Sequence, residues 1–263
     1  MRTDMTPLQE AGLPVTDLGP VVAGERHPLL FTTVSGAHLY GFPSRDSDVD
    51  LRGAHLLPAA DLVGLREPQE TRSRMWDQDG VEMDLVTHDL RKFVRLMLKP
   101  NGYVLEQLLS PLVVHTTPLH AELVALAPAV LTRNHAHHYR GFANTQWRLF
   151  ERTGELKPLL YTFRALLTGI HLMRSGEVLA HLPALLADVP APAFLPGLIK
   201  AKAEAEHGAA EGVDRTEMAR ETASLHQVLD EAQAASGLPD SPGGFDALHE
   251  LVVRARLAAA SAG

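Results

Sequence analysis

The chain has 263 residues, enough for one large domain or two ordinary ones, and its 45% hydrophobic and 21% charged content is that of a folded protein. The absence of cysteine excludes disulfides, disulfide-linked partners, thiolate nucleophiles and cysteine-bound zinc, so a metal would have to be held by carboxylates or by some of the 14 histidines. A formal charge of -8 argues against a surface built to coat nucleic acid.

No apolar run approaches the roughly 18 to 20 residues of a membrane span. The opening stretch MRTDMTPLQEAGLP lacks a basic flank followed by an apolar core. The expectation is a cytoplasmic protein with no membrane partner. Residues 1 to about 27 carry a weak helical pattern broken by Pro7, Pro14 and Pro20, and read as a leading segment. His27 to Val34, HPLLFTTV, has the β-branched and apolar enrichment of a buried strand, and Gly36 ends it. Asp48 to Leu57 reads as a second strand. Glu70 to Gln78 and Val81 to Thr87 read as a hairpin turning at Asp79-Gly80, a strong turn dipeptide.

After Thr87 the period changes. DLRKFVRLMLK places Leu90, Phe93, Val94, Met97 and Leu98 on one helical face, with Asp89 near its start. Segments beginning at Gly102, Pro118, His135 and Leu156 continue as amphipathic helices separated by Pro or Gly. Lys200 to Ala235, rich in Ala, Glu and Arg with sparse apolar positions, reads as an exposed helical pair. SGLPDSPGG is a linker before a last helix, FDALHELVVRARLAAA. The expected division is an α/β domain over residues 1–117 and a helical domain over 118–263.

Between the first two strands lies SGAHLYGFPSRDSDVDLRG. Alternate residues of a strand share a face, so Asp48 and Asp50 present two carboxylates side by side, whereas Asp46 falls in the entry loop. Like charges that close call for a cation. Two hard oxygen donors suit Mg²⁺ or Mn²⁺, with Mg²⁺ keeping waters and completing its shell with substrate phosphates. Asp84 in VEMDLVT follows the hairpin turn and is the candidate third acid, with Glu82 on the same strand face as its alternative. A solvated loop and cap cluster is the competing reading of the aspartates. Gly36 and Gly41 bracket AHLY, where glycine permits close approach of backbone N–H groups to an anion, and Ser44 and Ser47 offer hydroxyls. A phosphate-accepting turn followed by a metal-binding strand is what nucleotidyl transfer needs.

These residues resemble the nucleotidyltransferase superfamily that includes DNA polymerase β, whose signature is G-S, a short stretch, then D-x-D after a strand. GAHLYGFPSRDSDVDLRG is similar more narrowly to the RNA-ligase-associated, RlaP-like predicted nucleotidyltransferases, with G-S-x-x-Y-G and then S-D-x-D-x-R-G. VEMDLVTHDLRKFVRLMLKPNGYVLEQL resembles their continuation, with Asn101, Leu105 and Glu106 in an N-x-x-x-L-E segment. The resemblance implies an α+β fold, a small mixed sheet with flanking helices in a polymerase β-like core followed by a C-terminal helical domain. It implies Asp48, Asp50 and Asp84 as catalytic and metal-binding acids, and Gly36, Ala37, Tyr40, Gly41, Ser47 and Arg52 as nucleotide-side positions. The implied reaction moves a nucleoside monophosphate from an NTP, ATP being the expected nucleotide, to an acceptor hydroxyl on RNA, a protein or a small molecule. One position departs: the family's serine after the first glycine is Ala37, and a serine instead precedes the glycine as Ser35. That departure supports an alternative, a nucleotide-binding or interaction protein on the same fold with weak or no turnover.

Three further features have competing readings. His135, His137 and His138 near Arg140 invite a zinc or phosphate site, against a solvated or interdomain surface. Lys157, Tyr161 and Arg164 share a helix face and are candidate phosphate or acceptor contacts, against surface charges over an apolar stripe. Arg164 and His171 resemble the R-x(4-6)-H element of HEPN ribonucleases, which would give His171 an acid or base role.

Overall fold

The computed structural model describes residues 6–15, 17–204 and 214–262. In chain order the elements are α1 (Thr6–Glu10), α2 (Gly19–Ala23), β1 (Leu29–Val34), α3 (Gly36–Tyr40), β2 (Val49–His55), α4 (Ala59–Val63), β3 (Thr71–Gln78) and β4 (Val81–Asp89). There follow α5 (Leu90–Met97), α6 (Gly102–Leu108), β5 (Val113–Thr116), α7 (Pro118–Val130), α8 (His135–Thr153), α9 (Leu156–Ser175), α10 (Leu182–Asp188), α11 (Leu195–Glu204), α12 (Arg215–Ala235) and α13 (Phe245–Ala262). The chain forms two compact units: residues 1–39, 48–130 and 242–263 make one, and residues 40–47 and 131–241 the other. The division at residue 117 is therefore corrected. Helix α7 stays with the sheet, and α13 returns to it because Arg256 pairs with the fully buried Asp89 at the end of β4.

The first unit is a mixed five-stranded sheet in the order β3-β4-β2-β1-β5. β2 and β4 run parallel and the other neighbours are antiparallel. The hairpin is as expected: Asp79 and Gly80 both have positive φ, 56° and 84°, the requirement of a two-residue turn that matches strand twist. Asp89 caps α5 by accepting from the Arg91 N–H at 2.9 Å, and Leu90, Phe93, Val94 and Met97 bury as their spacing predicts. One face of the sheet receives α5, α6 and α7. Phe31 meets Phe93 edge-on at 5.2 Å and stacks on His120 at 4.5 Å, and Thr33 donates to the Gln107 carbonyl. At the centre Gly53 is obligatory, since a Cβ there would lie 2.1 Å from the Phe31 carbonyl oxygen on β1.

In the second unit α8 and α9 form an antiparallel pair joined at Gly154, which ends α8 at φ 70°, and Gly176 ends α9 at φ 75°. Helix α9 is buried on nearly all sides, as a central helix must be. Gly169 admits the close packing: a Cβ there would stand 3.0 Å from the Tyr139 Cβ and 3.1 Å from the Leu229 side chain on α12. The expectation of an exposed pair over Lys200 to Ala235 is corrected in part. Met218, Thr222, Leu225, Leu229 and Ala232 form a buried stripe on α12, while residues 205–213 lie outside the described part. No helix among the described residues is long and apolar enough to cross a membrane.

Candidate functional site

The parallel pairing of β2 with β4 sets Asp50 directly opposite Asp84. Residues in register across adjacent strands share a face, so their carboxylates converge. Between them lies Arg52, two residues on along β2. Its Nη2 donates to Asp50 Oδ1 at 2.7 Å and to Asp84 Oδ2 at 2.8 Å, its Nη1 to the carbonyls of Leu51 and Asp84, and its Nε to the Tyr103 hydroxyl. All five guanidinium donors are thereby used. Burial by itself lowers the Arg52 pKa, but Tyr103, Asp50 and Asp84 outweigh it and push it upward, so the guanidinium is a permanent charge. Arg52, expected on the nucleotide side, is a clamp on the acidic pair.

Asp84, the expected third acid, is thus the partner of Asp50 in register. Asp48 precedes β2 and is half-buried, and it makes no hydrogen bond or ion pair with the described residues. Among the described residues no cluster of three or more metal-ligating side chains forms. The donor set nevertheless fits a hard divalent cation, because oxygens of Asp50 and Asp84 already meet at one cationic nitrogen, and Mg²⁺ needs only one or two carboxylates. Glu82, the alternative to Asp84, is exposed and registers with Asp77 of the edge strand.

Gly36 is the seat of Asp50. Its φ of +63° opens α3, and a Cβ there would stand 1.9 Å from Asp50 Oδ2. Only a residue without a side chain lets the carboxylate lie against the backbone at this point. The Ser35 N–H donates to the Asp50 carbonyl at 2.8 Å, while the Ser35 hydroxyl is buried with no hydrogen-bond partner among the described residues. Ala37 is 5% exposed. The stretch read as a turn is thus a one-turn helix beside the acidic pair.

Tyr40, Gly41 and Ser47 belong to the helical unit, and each has a packing role there. The Tyr40 ring lies 3.9 Å from the Arg164 guanidinium and edge-on to Tyr161 at 5.4 Å. Gly41, at φ +80°, has the His181 ring where a Cβ would stand. The Ser47 hydroxyl accepts from the Ser44 N–H, and the buried Lys202 amine donates to the Ser44 hydroxyl at 3.1 Å. Arg164 is 3% exposed, which corrects the reading of Lys157, Tyr161 and Arg164 as surface charges; Lys157 and Tyr161 are half-buried. Sequence reasoning missed Lys202, a lone amine at an otherwise ordinary helical position. His171 lies 3.5 Å from Asp188, so its nearest acid is on α10.

The histidine cluster separates. His135 is buried, with its Nδ1 at the Thr132 hydroxyl and N–H, and burial lowers its pKa to about 4. His137 instead meets Arg140 and Gln233. With these separate partners the metal reading of this segment is corrected.

A model of the RNA repair pathway DNA polymerase beta family, RlaP, matches residues 15–254. An uncharacterized protein of Methanocaldococcus jannaschii is 34% identical over 154 residues, which cover 56% of this chain and 61% of that protein. The chain thus spans less than two thirds of that relative's length. A crystal structure of a nucleotidyltransferase-like protein from Exiguobacterium sibiricum matches at 12% identity and a TM-score of 0.32, over 86% of this chain and 75% of that one.

Proposed function

This chain belongs to the RNA repair pathway DNA polymerase beta family, and on that premise we propose that it transfers a nucleoside monophosphate from an NTP to an acceptor hydroxyl. The observation that carries the reading is the register of Asp50 with Asp84, with Gly36 holding one carboxylate in place. In the reaction the acceptor oxygen bonds to the α-phosphorus, the bond from that phosphorus to the bridging oxygen of the β-phosphate breaks, and pyrophosphate leaves. Asp50 and Asp84 would hold a divalent ion, Mg²⁺ or Mn²⁺, which neutralises phosphate charge and lowers the pKa of the attacking hydroxyl. Asp48, unpaired among the described residues and next to the strand, takes the acceptor's proton. Arg52 keeps the paired carboxylates apart in charge and aligned in space. The backbone at Gly36 and Ala37 lies on the leaving-phosphate side. ATP is the proposed nucleotide, and RNA, protein and small-molecule hydroxyls are the acceptor classes to be compared.

A second reading is a nucleotide-binding protein with no turnover. Two observations favour it: Arg52 already holds one oxygen of each carboxylate, and Ala37 brings no hydroxyl. Labelled NTPs with Mg²⁺ or Mn²⁺ and each acceptor class distinguish the two. The transferase reading expects metal-dependent pyrophosphate release that falls at least about 100-fold in Asp50→Ala and Asp84→Ala, the loss of about 2.7 kcal/mol of transition-state stabilisation. Release that survives Asp50→Ala sinks the mechanism, and nucleotide binding without release under either metal establishes the second reading.

A further inference from the structure

The opposite face of the sheet carries a cavity that the acidic pair does not explain. Strand register puts Arg72 opposite Thr87, and Thr87 opposite Gly53, odd steps away from Asp84 and Asp50. Arg72 therefore projects to the other face. There it lines a cavity of about 510 Å³ together with Arg26, Arg66 and His27, with Leu57 and Leu65 supplying apolar wall. Leu57 lies seven residues beyond Asp50, on the order of 20 Å along the strand direction.

The three arginines of this cavity make no ion pair among the described residues, and the Arg72 Nε–H is buried with no acceptor. Two acids, Asp61 and Glu67, share the lining, yet neither pairs with an arginine there. In a chain of net charge -8, three unpaired arginines lining one cavity, Arg72 half-buried and Arg26 and Arg66 exposed, are not a by-product of a basic surface. A buried N–H without an acceptor costs on the order of 1 to 3 kcal/mol, a cost a bound anion removes. Guanidinium forks match phosphate oxygens in pairs. The volume falls within the roughly 300–1,000 Å³ of small-ligand sites. Leu65, an exposed apolar side chain at the rim, gives such a ligand something besides charge to meet.

We propose that this cavity binds a nucleotide-sized phosphate ester, its phosphate held by Arg26, Arg66 and Arg72 and its non-phosphate part packed against Leu57 and Leu65. This second site is independent of the acidic pair, needs no metal and lies on the other face of the sheet. His27 reports on it. Its ring stacks on His55 at 5.7 Å, and its pKa is lowered by burial and by the charges of Arg72 and Arg26, against the raising effect of Asp61 and Asp89.

The test is calorimetric titration of the full chain with ADP, pyrophosphate and inorganic phosphate in EDTA, in the wild type and in Asp50→Asn, so that transferase failure and failure of this site read differently. Both proteins are expected to bind ADP equally, and more tightly than pyrophosphate. Arg72→Gln and the more exposed Arg66→Gln should each weaken ADP about 10- to 100-fold, the value of a charged hydrogen bond. NMR should show the His27 pKa rising on ADP addition, because the ligand's charge offsets Arg72 and Arg26. Binding that is unchanged in both arginine variants, or an unmoved His27, overturns the site. Equal affinity for ADP and pyrophosphate overturns the role of the apolar wall, and an absence of binding by all three probes overturns the proposal.

Discussion

Replacing Gly36 with alanine should cost far more than a turn glycine normally does, and the excess should depend on Asp50. Alanine at φ +63° costs about 1 kcal/mol by itself. The new Cβ also falls 1.9 Å from Asp50 Oδ2 and 2.9 Å from its Cγ, so the carboxylate must leave its seat. Leaving breaks the 2.7 Å bond to Arg52, a charge-assisted contact worth about 1.5–3 kcal/mol. The expected total for Gly36→Ala is about 2.5–4 kcal/mol. In an Asp50→Ala background the oxygen and Cγ are gone, the nearest atom is the residue-50 Cβ at 3.2 Å, and only the backbone term of about 1 kcal/mol remains. The four proteins of this double-mutant cycle should therefore couple by about 1.5–3 kcal/mol, the double variant being less destabilised than the sum of the singles. Urea unfolding followed by Trp76 fluorescence, in a Trp147→Phe background, reads the unit that holds the site, since Trp76 lies on β3 and Trp147 on α8. Additivity within about 0.5 kcal/mol would refute the claim that Gly36 exists to seat Asp50.

Gly53→Ala should be worse tolerated, because a backbone oxygen 2.1 Å away cannot rotate aside as a carboxylate can; loss of soluble folded protein, or destabilisation above about 3 kcal/mol in urea, is expected. Arg256→Met leaves the fully buried Asp89 with only the N–H groups of Leu57 and Arg91, and should cost about 3–5 kcal/mol; Arg256→Met with Asp89→Asn should recover part of this in the same assay. His55 and His135 are 1% and 0% exposed, and burial lowers each to about 4 in the folded chain, against about 6.5 unfolded. The unfolded state thus binds more protons between those values, so their contribution is complete above about pH 6.5 and is lost as the pH falls toward 4, by about 2 kcal/mol each at pH 5. Ring NMR should show both imidazoles neutral at pH 5, and urea stability measured at pH 7 and pH 5 should differ accordingly.

The hairpin, the amphipathic α5 and the long α8 and α9 were legible because their signals are local: a two-residue turn, a capping aspartate and apolar residues at helical spacing. Strand β5 was not. Its four residues are all half-buried, without alternation, and it forms by pairing with β1 some eighty residues earlier. Helix α12 looked solvated because small residues, Thr222 and Ala232, complete a stripe that its larger apolar residues leave sparse. The unit boundary depended on a contact between Asp89 and Arg256, for which a linear pattern carries no signal.

In the site, strand alternation nominated Asp48 with Asp50 and the hairpin turn nominated Asp84, but neither showed that the partner of Asp84 in register is Asp50 and that Asp48 stands outside the strand. The signal for Arg52 was present and simple: it lies two residues after Asp50, on the same face. Its consequence is electrostatic. Two carboxylates facing one another across neighbouring strands repel unless a positive charge is shared between them, and a guanidinium with every donor used supplies that charge without titrating near neutral pH. Arg52 engages one oxygen of each carboxylate and leaves the cluster of Asp50, Asp84 and Arg52 with a net charge of about -1. A divalent ion entering that cluster meets attraction reduced by the guanidinium but carboxylates already aligned. Removing Arg52 therefore trades alignment for charge, and lost activity alongside tighter metal binding is the combination that follows from an orienting role.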